Sequence, residues 1–196
     1  MDKNEVIAFF DSCADSWDTY GERREDAISL ILSQSGVRDG AEVLDVGCGT
    51  GVLFPDYIRM GASVTGIDIS PKMTERAKGK FPGVNVICGD AQDYSFEGLF
   101  DVIMIHNAFP HFPDPERLIK HLSGFLKKEG RLTVAHSISE KEVAECHSGS
   151  AKNVSLPLLS KKELSGLMSA YLEVDVSVSD DRMYMVSGVK KCNYPI

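Results

Sequence analysis

A short apolar strand that runs directly into three glycines at alternate positions is the feature that most limits how this chain can fold. Residues 43–46 (Val-Leu-Asp-Val) are followed by Gly47, Gly49 and Gly51. Glycine has no Cβ, so such a loop turns sharply at a strand end and lets a ligand approach the backbone. The dinucleotide-binding pattern G-x-G-x-x-G places its third glycine one residue later, where this chain has Val52. The loop therefore indicates a nucleotide-type ligand other than a dinucleotide.

Strand-like and helix-like segments alternate from about residue 40 onward, a pattern typical of a parallel sheet covered by helices on both faces. Near the end, two apolar runs flank a polar turn and predict an antiparallel hairpin. We therefore expect an α/β fold with a doubly wound, mostly parallel seven-stranded sheet and an antiparallel C-terminal hairpin. The predicted strands cover residues 42–46, 63–67, 84–87, 100–106, 131–136, 172–178 and 183–189. The predicted helices cover residues 3–12, 21–35, 51–60, 71–80, 91–96, 114–127 and 161–169.

Composition narrows the class of ligand. The net charge of −8 disfavours a surface that follows nucleic-acid phosphates, since such binding needs clustered Lys and Arg. The five cysteines form no C-x-x-C pair and leave an odd count, which fits neither a disulfide framework nor a zinc finger. Apolar runs are too short to span a membrane, and the first residues lack the pattern of a secretory signal. We expect a cytoplasmic protein that acts on a small molecule.

Two carboxylates follow the next two predicted strands. Asp68 ends the second strand, where an acid can accept hydrogen bonds from both hydroxyls of a ribose. Asp90 follows the third strand at the same sheet edge and could accept a hydrogen bond from an exocyclic amino group. Asp68 and Asp90 could therefore accept hydrogen bonds from the ribose and the adenine of a nucleotide-type ligand.

Five motifs in chain order resemble those of the class I S-adenosylmethionine-dependent methyltransferases of small-molecule (type 11-like) type. They are residues 44–51 (LDVGCGTG), 66–70 (GIDIS), 89–91 (GDA), 100–107 (FDVIMIHN) and 126–132 (LKKEGRL). Glu129 departs from the family pattern, which usually has proline there. The resemblance implies a Rossmann-like fold, S-adenosylmethionine as cofactor, and methyl transfer to a small-molecule acceptor by in-line displacement, with S-adenosylhomocysteine as product.

The resemblance also assigns roles to residues. The glycine loop would cradle the methionine part of the cofactor, Asp68 would bind the ribose, and Ile69 would flank the adenine. Apart from the resemblance, Trp17 and Tyr20 lie between two predicted amphipathic helices and would help an N-terminal lid close the site, although a helix packed on the sheet edge explains the same residues. The full set of expected cofactor-binding residues is Asp45, Gly47, Cys48, Gly49, Gly51, Asp68, Ile69, Asp90, Ala91, His106, Trp17 and Tyr20.

The five histidines, His106, His111, His121, His136 and His147, fall within a single window of the chain. A hydroxyl acceptor needs a base to remove its proton, whereas a thiolate or free amine needs none. His111 and His136 are the candidate catalytic residues; a structural hydrogen bond and a metal site shared with His106 and His147 are the open alternatives. His121 lies in a predicted helix and is expected to be structural.

The expected organisation is one methyltransferase domain over residues 1–196. It comprises a helical lid (1–38), a cofactor-binding core (40–136), an irregular substrate-side loop insertion (137–160), and a last helix with hairpin (161–196). The acceptor pocket is expected from residues 9–20, 106–112 and 136–160. We expect no nucleic-acid or membrane partner, and a monomer or homodimer.

The sequence leaves two functions other than methyl transfer open. A module that binds S-adenosylmethionine without catalysis remains an alternative, because binding motifs can persist without activity. An NAD-dependent reductase is a weaker one, since the G-x-G-x-x-G loop is missing. Nucleic-acid amino methyltransferases typically carry Asn/Asp-Pro-Pro-aromatic after the fourth strand, where this chain has residues 107–110 (Asn-Ala-Phe-Pro).

Overall fold

The computed structural model describes residues 1–19, 23–149 and 151–191. Tyr20, expected in the lid, lies outside these ranges, so its predicted role receives no structural description.

The centre of the molecule is a seven-stranded sheet with strand order β3-β2-β1-β4-β5-β7-β6. Strands β1 to β5 pair in parallel, and β7 pairs antiparallel with both β5 and β6. The predicted doubly wound sheet with an antiparallel C-terminal hairpin is confirmed. The strands are β1 (Glu42–Val46), β2 (Ser63–Asp68), β3 (Asn85–Cys88), β4 (Phe100–His106), β5 (Leu126–His136), β6 (Leu172–Ser179) and β7 (Tyr184–Lys190).

Seven α-helices and three short 3-10 helices surround the sheet in the described part of the chain. Several begin at polar caps; for example, Ser70 Oγ accepts from the Met73 amide at 3.1 Å. The α-helices are α1 (Lys3–Cys13), α2 (Glu25–Gln34), α3 (Phe54–Arg59), α4 (Pro71–Lys80), α5 (Pro115–Gly124), α6 (Glu140–Ser148) and α7 (Lys161–Met168). The 3-10 helices are Trp17–Thr19, Phe109–His111 and Lys152–Val154.

The core has one apolar layer on each face of the sheet, because successive strand residues point to opposite faces. In β4, Ile103 and Ile105 belong to the layer that α5 and α7 cover. Val102 and Met104 belong to the layer that α2 and α3 cover. Both faces of the central strands are therefore buried against apolar side chains, so polar groups that could bind a ligand lie at the strand ends.

The short helix predicted over 91–96 is wrong. The Asp90 carboxylate accepts from the Gln92 amide at 2.9 Å, and the Asp90 carbonyl accepts from the Asp93 and Tyr94 amides at 3.0 and 2.9 Å. The Asp90 side chain thus competes for backbone donors and closes a single turn.

Residues 137–160, predicted as an irregular loop, contain α6 and the 3-10 helix Lys152–Val154. Helix α6 begins with a capping box: Ser139 Oγ accepts from the Glu142 amide, and the Glu142 carboxylate accepts from the Ser139 amide. The pattern Ser-x-x-Glu in the sequence was a signal for this helix.

Strand β5 begins earlier than predicted, at Leu126 instead of residue 131. Its pairing with β4 shifts register between Phe100 and Val102, and Glu129 takes a left-handed φ of 62° within this irregularity. Two predicted helices also begin late, α2 at Glu25 and α3 at Phe54. No helix in the described residues is both long enough and apolar enough to cross a membrane.

Candidate functional site

A deep cavity lies at the carboxyl ends of β1, β2 and β4, the edge where open α/β sheets bind ligands. Its volume is about 1050 Å³ including the open mouth. One half, which we call the cofactor half, is lined by the glycine loop, Asp68, Asp90 and Ala91. The other half, which we call the acceptor half, is lined by Phe10, Trp17, His106, His111 and Phe112. The charged lining residues of the described chain thus lie on the cofactor side.

The glycine loop follows β1 without a break. Gly47 has φ +69°, and a Cβ there would lie 2.5 Å from the Ala108 Cβ. Gly49 has φ +54° and borders the cavity, so a side chain there would intrude on a ligand. Gly51, with φ +82°, faces Phe54 in the core and serves the fold instead of the cavity. The three glycines therefore have two different purposes.

Asp68 lies at the end of β2, directly beside this loop. Its two carboxylate oxygens accept from the Gly49 and Ser70 amides, each at 2.9 Å. Burial raises the pKa of Asp68, and the hydrogen bonds from these amides oppose that shift. A carboxylate offers about four lone pairs, so a diol can still bind to oxygens that the backbone holds in place.

Asp45 lies in the wall between the loop and Asp68 and is only 3% exposed. Burial, with the nearby charge of Asp68, raises the pKa of Asp45 to about 8. Cys48, also on the wall, is 5% exposed, and burial raises its thiol pKa well above the usual range. This part of the cavity favours a cation, because a positive charge would stabilise both carboxylates.

The adenine side of the cavity is formed by Ile69, Ala91 and Asp90, all in its lining as expected. Lys3, from the first turn of α1, forms an ion pair with Asp90 and another with Asp93 at 3.3 Å. Lys3 was missed by the sequence analysis, because nothing in the local pattern places α1 against the third strand.

The lid residue Trp17 lines the cavity and packs edge-to-face on Phe10, with ring centroids 5.7 Å apart. Next to it, Asp18 accepts hydrogen bonds from Thr50 Oγ1 at 2.5 Å and Lys80 Nζ at 2.9 Å. The lid is thus fixed to the glycine loop and to α4.

His111 lies at the end of the 3-10 helix that follows β4, and its ring borders the acceptor half. Its Nδ1 is 2.8 Å from the Val154 carbonyl oxygen. Burial lowers the pKa of His111 to about 4, so the ring is neutral at pH 7.

His106 also lines the acceptor half, and its buried Nε2 has no hydrogen-bond partner in the described residues. Burial lowers the pKa of His106 to about 4, with a further contribution from the charge of Arg23. This histidine is therefore neutral at pH 7, and its Nε2 is a buried, unpaired nitrogen behind the part of the ring that borders the cavity.

His136, the second candidate base, lies behind the cavity instead of on its wall. It is 2% exposed and packs edge-to-face on Tyr184 at 6.0 Å. Burial lowers the pKa of His136 well below its usual range. His136 is thus not among the residues that line the cavity, although the lining residues His106 and His111 lie near enough to affect its pKa.

The remaining histidines have different surroundings. His147 of α6 packs against the His111 ring at 5.1 Å, while His121 Nε2 is 2.9 Å from the Tyr94 carbonyl oxygen on the far side of α5. Among the described residues, no group of three or more His, Cys, Asp or Glu side chains is arranged to hold a metal ion. The histidine cluster thus lacks the geometry of a metal site in this part of the chain.

Asn107 is a further lining residue that sequence reasoning did not single out. It has a positive φ of 52°, and its side-chain oxygen accepts from the Ser137 amide at 3.0 Å. Asparagine tolerates this conformation better than most residues, and such outliers gather at binding sites. The signal was its position directly after β4. The predicted acceptor segment 136–160 contributes nothing to the described lining and instead supports His111 from behind.

The arrangement fits the cofactor that the sequence motifs imply. The glycine turn, which has no room for a side chain at Gly47, allows the close approach of a ligand. Asp68, held by backbone amides, suits a ribose, and the buried Asp45, which favours a cation, suits the positively charged methionine part. The acceptor half is then left for a second molecule.

Comparisons with known proteins agree with this geometry. Residues 44–134 match the family model described as "Methyltransferase domain". A ubiquinone biosynthesis O-methyltransferase of Coxiella burnetii is 32% identical in an alignment of 144 residues that covers 67% of this chain and 61% of the relative. The chain thus matches about three fifths of that relative's length.

Two solved structures share the fold. The magnesium protoporphyrin IX methyltransferase of Synechocystis PCC 6803, with bound S-adenosylhomocysteine, has a TM-score of 0.75 at 20% identity, covering 97% of this chain and 100% of that one. The N-methyltransferase NodS of Bradyrhizobium japonicum, also in complex with S-adenosylhomocysteine, has a TM-score of 0.73 at 14% identity, covering 94% and 98%. At such identities the likeness concerns the fold.

Proposed function

This chain belongs to the class I S-adenosylmethionine-dependent methyltransferases, and from that premise we propose that it transfers a methyl group from S-adenosylmethionine to a hydroxyl oxygen of a small-molecule acceptor. S-Adenosylhomocysteine is the second product. The proposed organisation is a single domain acting in the cytoplasm, as a monomer or homodimer, without nucleic-acid or membrane partners.

The observation that carries the choice of a hydroxyl acceptor is the position of His111. Its neutral ring borders the acceptor half, next to aromatic side chains and opposite the carboxylates of the cofactor half. A hydroxyl acceptor must lose a proton as it is methylated, and a neutral imidazole can accept it. The name of the Coxiella relative, an O-methyltransferase, supports the same acceptor atom.

The acceptor half also favours an uncharged, apolar acceptor. Phe10, Trp17 and Phe112 supply flat apolar surfaces there, and no charged residue of the described lining lies among them. A compact hydroxylated ring would bury its faces on these aromatic side chains and present one oxygen to His111.

When bound, the cofactor supplies a methyl group on a sulfonium sulfur, which makes that carbon electrophilic. The protein positions the two reactants and keeps water out. Asp68 and the glycine loop fix one end of the cavity, and Trp17 covers it. His111 Nε2 takes the acceptor proton, and holding both partners in line contributes the larger part of the rate.

The test measures S-adenosylhomocysteine release with phenols, alcohols, amines and thiols as acceptors. We expect turnover with a hydroxyl compound and a 10²- to 10⁴-fold lower kcat in His111→Gln, the usual range for loss of a general base. Affinity for S-adenosylhomocysteine should be unchanged in this variant, while Asp68→Ala should lose it. His121→Gln is the matched control, with activity near that of the parent protein.

Two results would overturn the proposal. Turnover confined to amines or thiols would remove the hydroxyl acceptor. Tight binding of S-adenosylhomocysteine without turnover of any acceptor would favour a binding module.

A further inference from the structure

His111 is the meeting point of three elements that are distant in the sequence. The Phe10 ring of α1 packs edge-to-face on it with centroids 4.8 Å apart, and the His147 ring of α6 does so at 5.1 Å. The 3-10 helix Lys152–Val154 contributes the Val154 carbonyl oxygen, 2.8 Å from His111 Nδ1. We call α1, α6 and this 3-10 helix together the roof.

The Val154 carbonyl determines which ring nitrogen of His111 carries the hydrogen. A carbonyl oxygen can only accept, so Nδ1 must donate to it. Ser155 Oγ, 3.3 Å from the same nitrogen, donates its own hydrogen to the Ala151 carbonyl at 2.8 Å and so does not supply one to Nδ1. In a neutral imidazole the other nitrogen then has a free lone pair. Nε2 is therefore the nitrogen able to take a proton from a molecule in the acceptor half.

The parts of the roof are held to one another by apolar contacts. Val6 of α1 packs with Ala151 and Val154, and these three side chains are 5%, 9% and 4% exposed. Leu156, just after the 3-10 helix, donates its amide to the Pro110 carbonyl at 2.7 Å and so ties the segment to the His111 loop.

The roof is attached to the rest of the protein more lightly than the core helices. Val6 is the residue that α1 buries fully, whereas α5 buries four residues. Partly buried side chains such as Phe9 and polar contacts near the surface, including Asp11 to the Ser70 hydroxyl at 2.6 Å, supply further attachment. Such an element is suited to detach when ligands enter and leave.

We propose that docking of the roof onto His111 prepares the imidazole as the base, with Val154 as the positioning residue, so that proton removal is confined to the closed site. This inference rests on the proposed transfer to a hydroxyl. In the closed state a lone pair of the acceptor oxygen forms the C–O bond as the C–S bond breaks. The positive charge that develops on that oxygen releases its proton to Nε2, while Nδ1–H stays hydrogen-bonded to the Val154 carbonyl. The imidazolium returns its proton to water when the roof opens.

The first test needs no turnover. Long-range ¹⁵N–¹H NMR of protein labelled at histidine nitrogens distinguishes the two neutral tautomers, and His111→Gln identifies the His111 signals by their loss. We expect His111 to carry its hydrogen on Nδ1 at pH 7. A ring protonated on Nε2 would overturn the inference, whatever becomes of the proposed function.

The second test loosens the roof without touching His111. Val154→Ser replaces a buried apolar side chain of the 3-10 helix, and Asn153→Ser makes the same substitution at the exposed neighbouring position. In Val154→Ser we expect the Nδ1–H tautomer of His111 to lose population and kcat to fall about tenfold, with KM for S-adenosylmethionine within twofold of the parent. Asn153→Ser should match the parent in all three.

An unchanged tautomer in Val154→Ser, or equal changes in both variants, would overturn the link between roof and base. A loss confined to KM would do the same, because it would make the 3-10 helix a binding element only. Since the NMR measurement is made on the free protein, failure of the proposed methyl transfer would be visible separately.

Discussion

Asp90 has one observed and one expected hydrogen-bond donor at the same edge of the cavity. In the structure its carboxylate is paired with the ammonium of Lys3, yet the same carboxylate is the group expected to accept from the adenine amino group. Lys3 and the cofactor therefore compete for one acceptor. A partly exposed ion pair of this kind is worth about 0–1 kcal/mol, so the competition is modest.

Replacing Lys3 by methionine should therefore tighten binding of S-adenosylhomocysteine. We expect a gain of about two- to fivefold at low salt, shrinking as ionic strength screens the pair. Isothermal titration calorimetry at two salt concentrations measures it. Lys72→Met, which removes a charge from the nearby helix α4, should leave the affinity unchanged. Weaker binding in Lys3→Met would mean that Lys3 holds α1 in place instead of competing.

Single residues differ in how far the sequence alone can locate them. Gly49 and Asp68 could be placed because each follows a strand whose end is set by local pattern. His111 and His136 looked equivalent in the sequence, but one borders the cavity and the other is 2% exposed. Which way a side chain faces at a strand end depends on the pleat and on neighbouring strands, and neither can be read from nearby residues.

At the scale of elements, α6 and α7 begin with the same capping box but have different neighbours. Ser139 with Glu142, and Ser160 with Glu163, exchange the same pair of hydrogen bonds. Glu142 additionally pairs with Arg24 of α2 at 2.8 Å, which joins the roof to the core. The two capping boxes can therefore be compared: both stabilise a helix, but only that of α6 belongs to the roof.

Glu142→Ala and Glu163→Ala should each lower the melting temperature to a similar extent, because each removes one side of a capping box. We expect kcat to fall several-fold only in Glu142→Ala, since α6 carries His147 against His111. Thermal unfolding and steady-state kinetics of both variants measure the two effects. A comparable kcat loss in Glu163→Ala would show that the activity follows global stability.

The elements that the sequence predicted well are those whose signal is local. The five parallel strands follow in the expected order, with the predicted helices between them except after β3, and their apolar runs suffice to mark them. Helix α6 was missed because its apolar face is weak, although Ser139 and Glu142 announced its start. The early start of β5 depends on a shifted pairing with β4, a long-range feature that no local pattern reveals.

For the molecule as a whole, buried ionisable groups give stability an unusual pH dependence. Burial lowers the pKa of His106 and His111 to about 4 from an ordinary value of 6.5, and it also lowers the pKa of His136 well below that value. Between pH 6.5 and 4 these histidines are protonated in the unfolded chain but stay neutral in the folded chain. The free energy of unfolding therefore falls as the pH is lowered through this range.

Asp45 acts in the opposite direction. Its pKa is about 8 in the folded protein against 3.8 ordinarily, so above pH 4 the folded chain keeps a proton that the unfolded chain has lost. The pKa of Asp68 is raised too. Each such group lowers the free energy of unfolding by up to about 1.4 kcal/mol per pH unit as the pH rises toward its folded pKa.

Below pH 6.5 the three histidines change the free energy of unfolding more than the two carboxylates do. Above pH 6.5 the carboxylates alone change it. We therefore expect the melting temperature of the ligand-free protein to be highest near pH 6.5 and to fall toward both pH 5 and pH 8. Thermal unfolding at constant ionic strength measures this profile. Asp45→Asn should flatten the alkaline side and leave the acid side in place. A melting temperature that rises steadily from pH 5 to pH 8 would contradict the expectation.

The position of β7 has a consequence for how the protein is made. This strand is the last in the chain order of the sheet, yet it lies between β5 and β6. During synthesis, β5 emerges from the ribosome with one edge open, and β6 has no strand to join until residues 184–190 follow. The edge of β5 in the nascent chain therefore stays unpaired until β7 has been synthesised. A ribosome stalled before that point would hold an aggregation-prone intermediate.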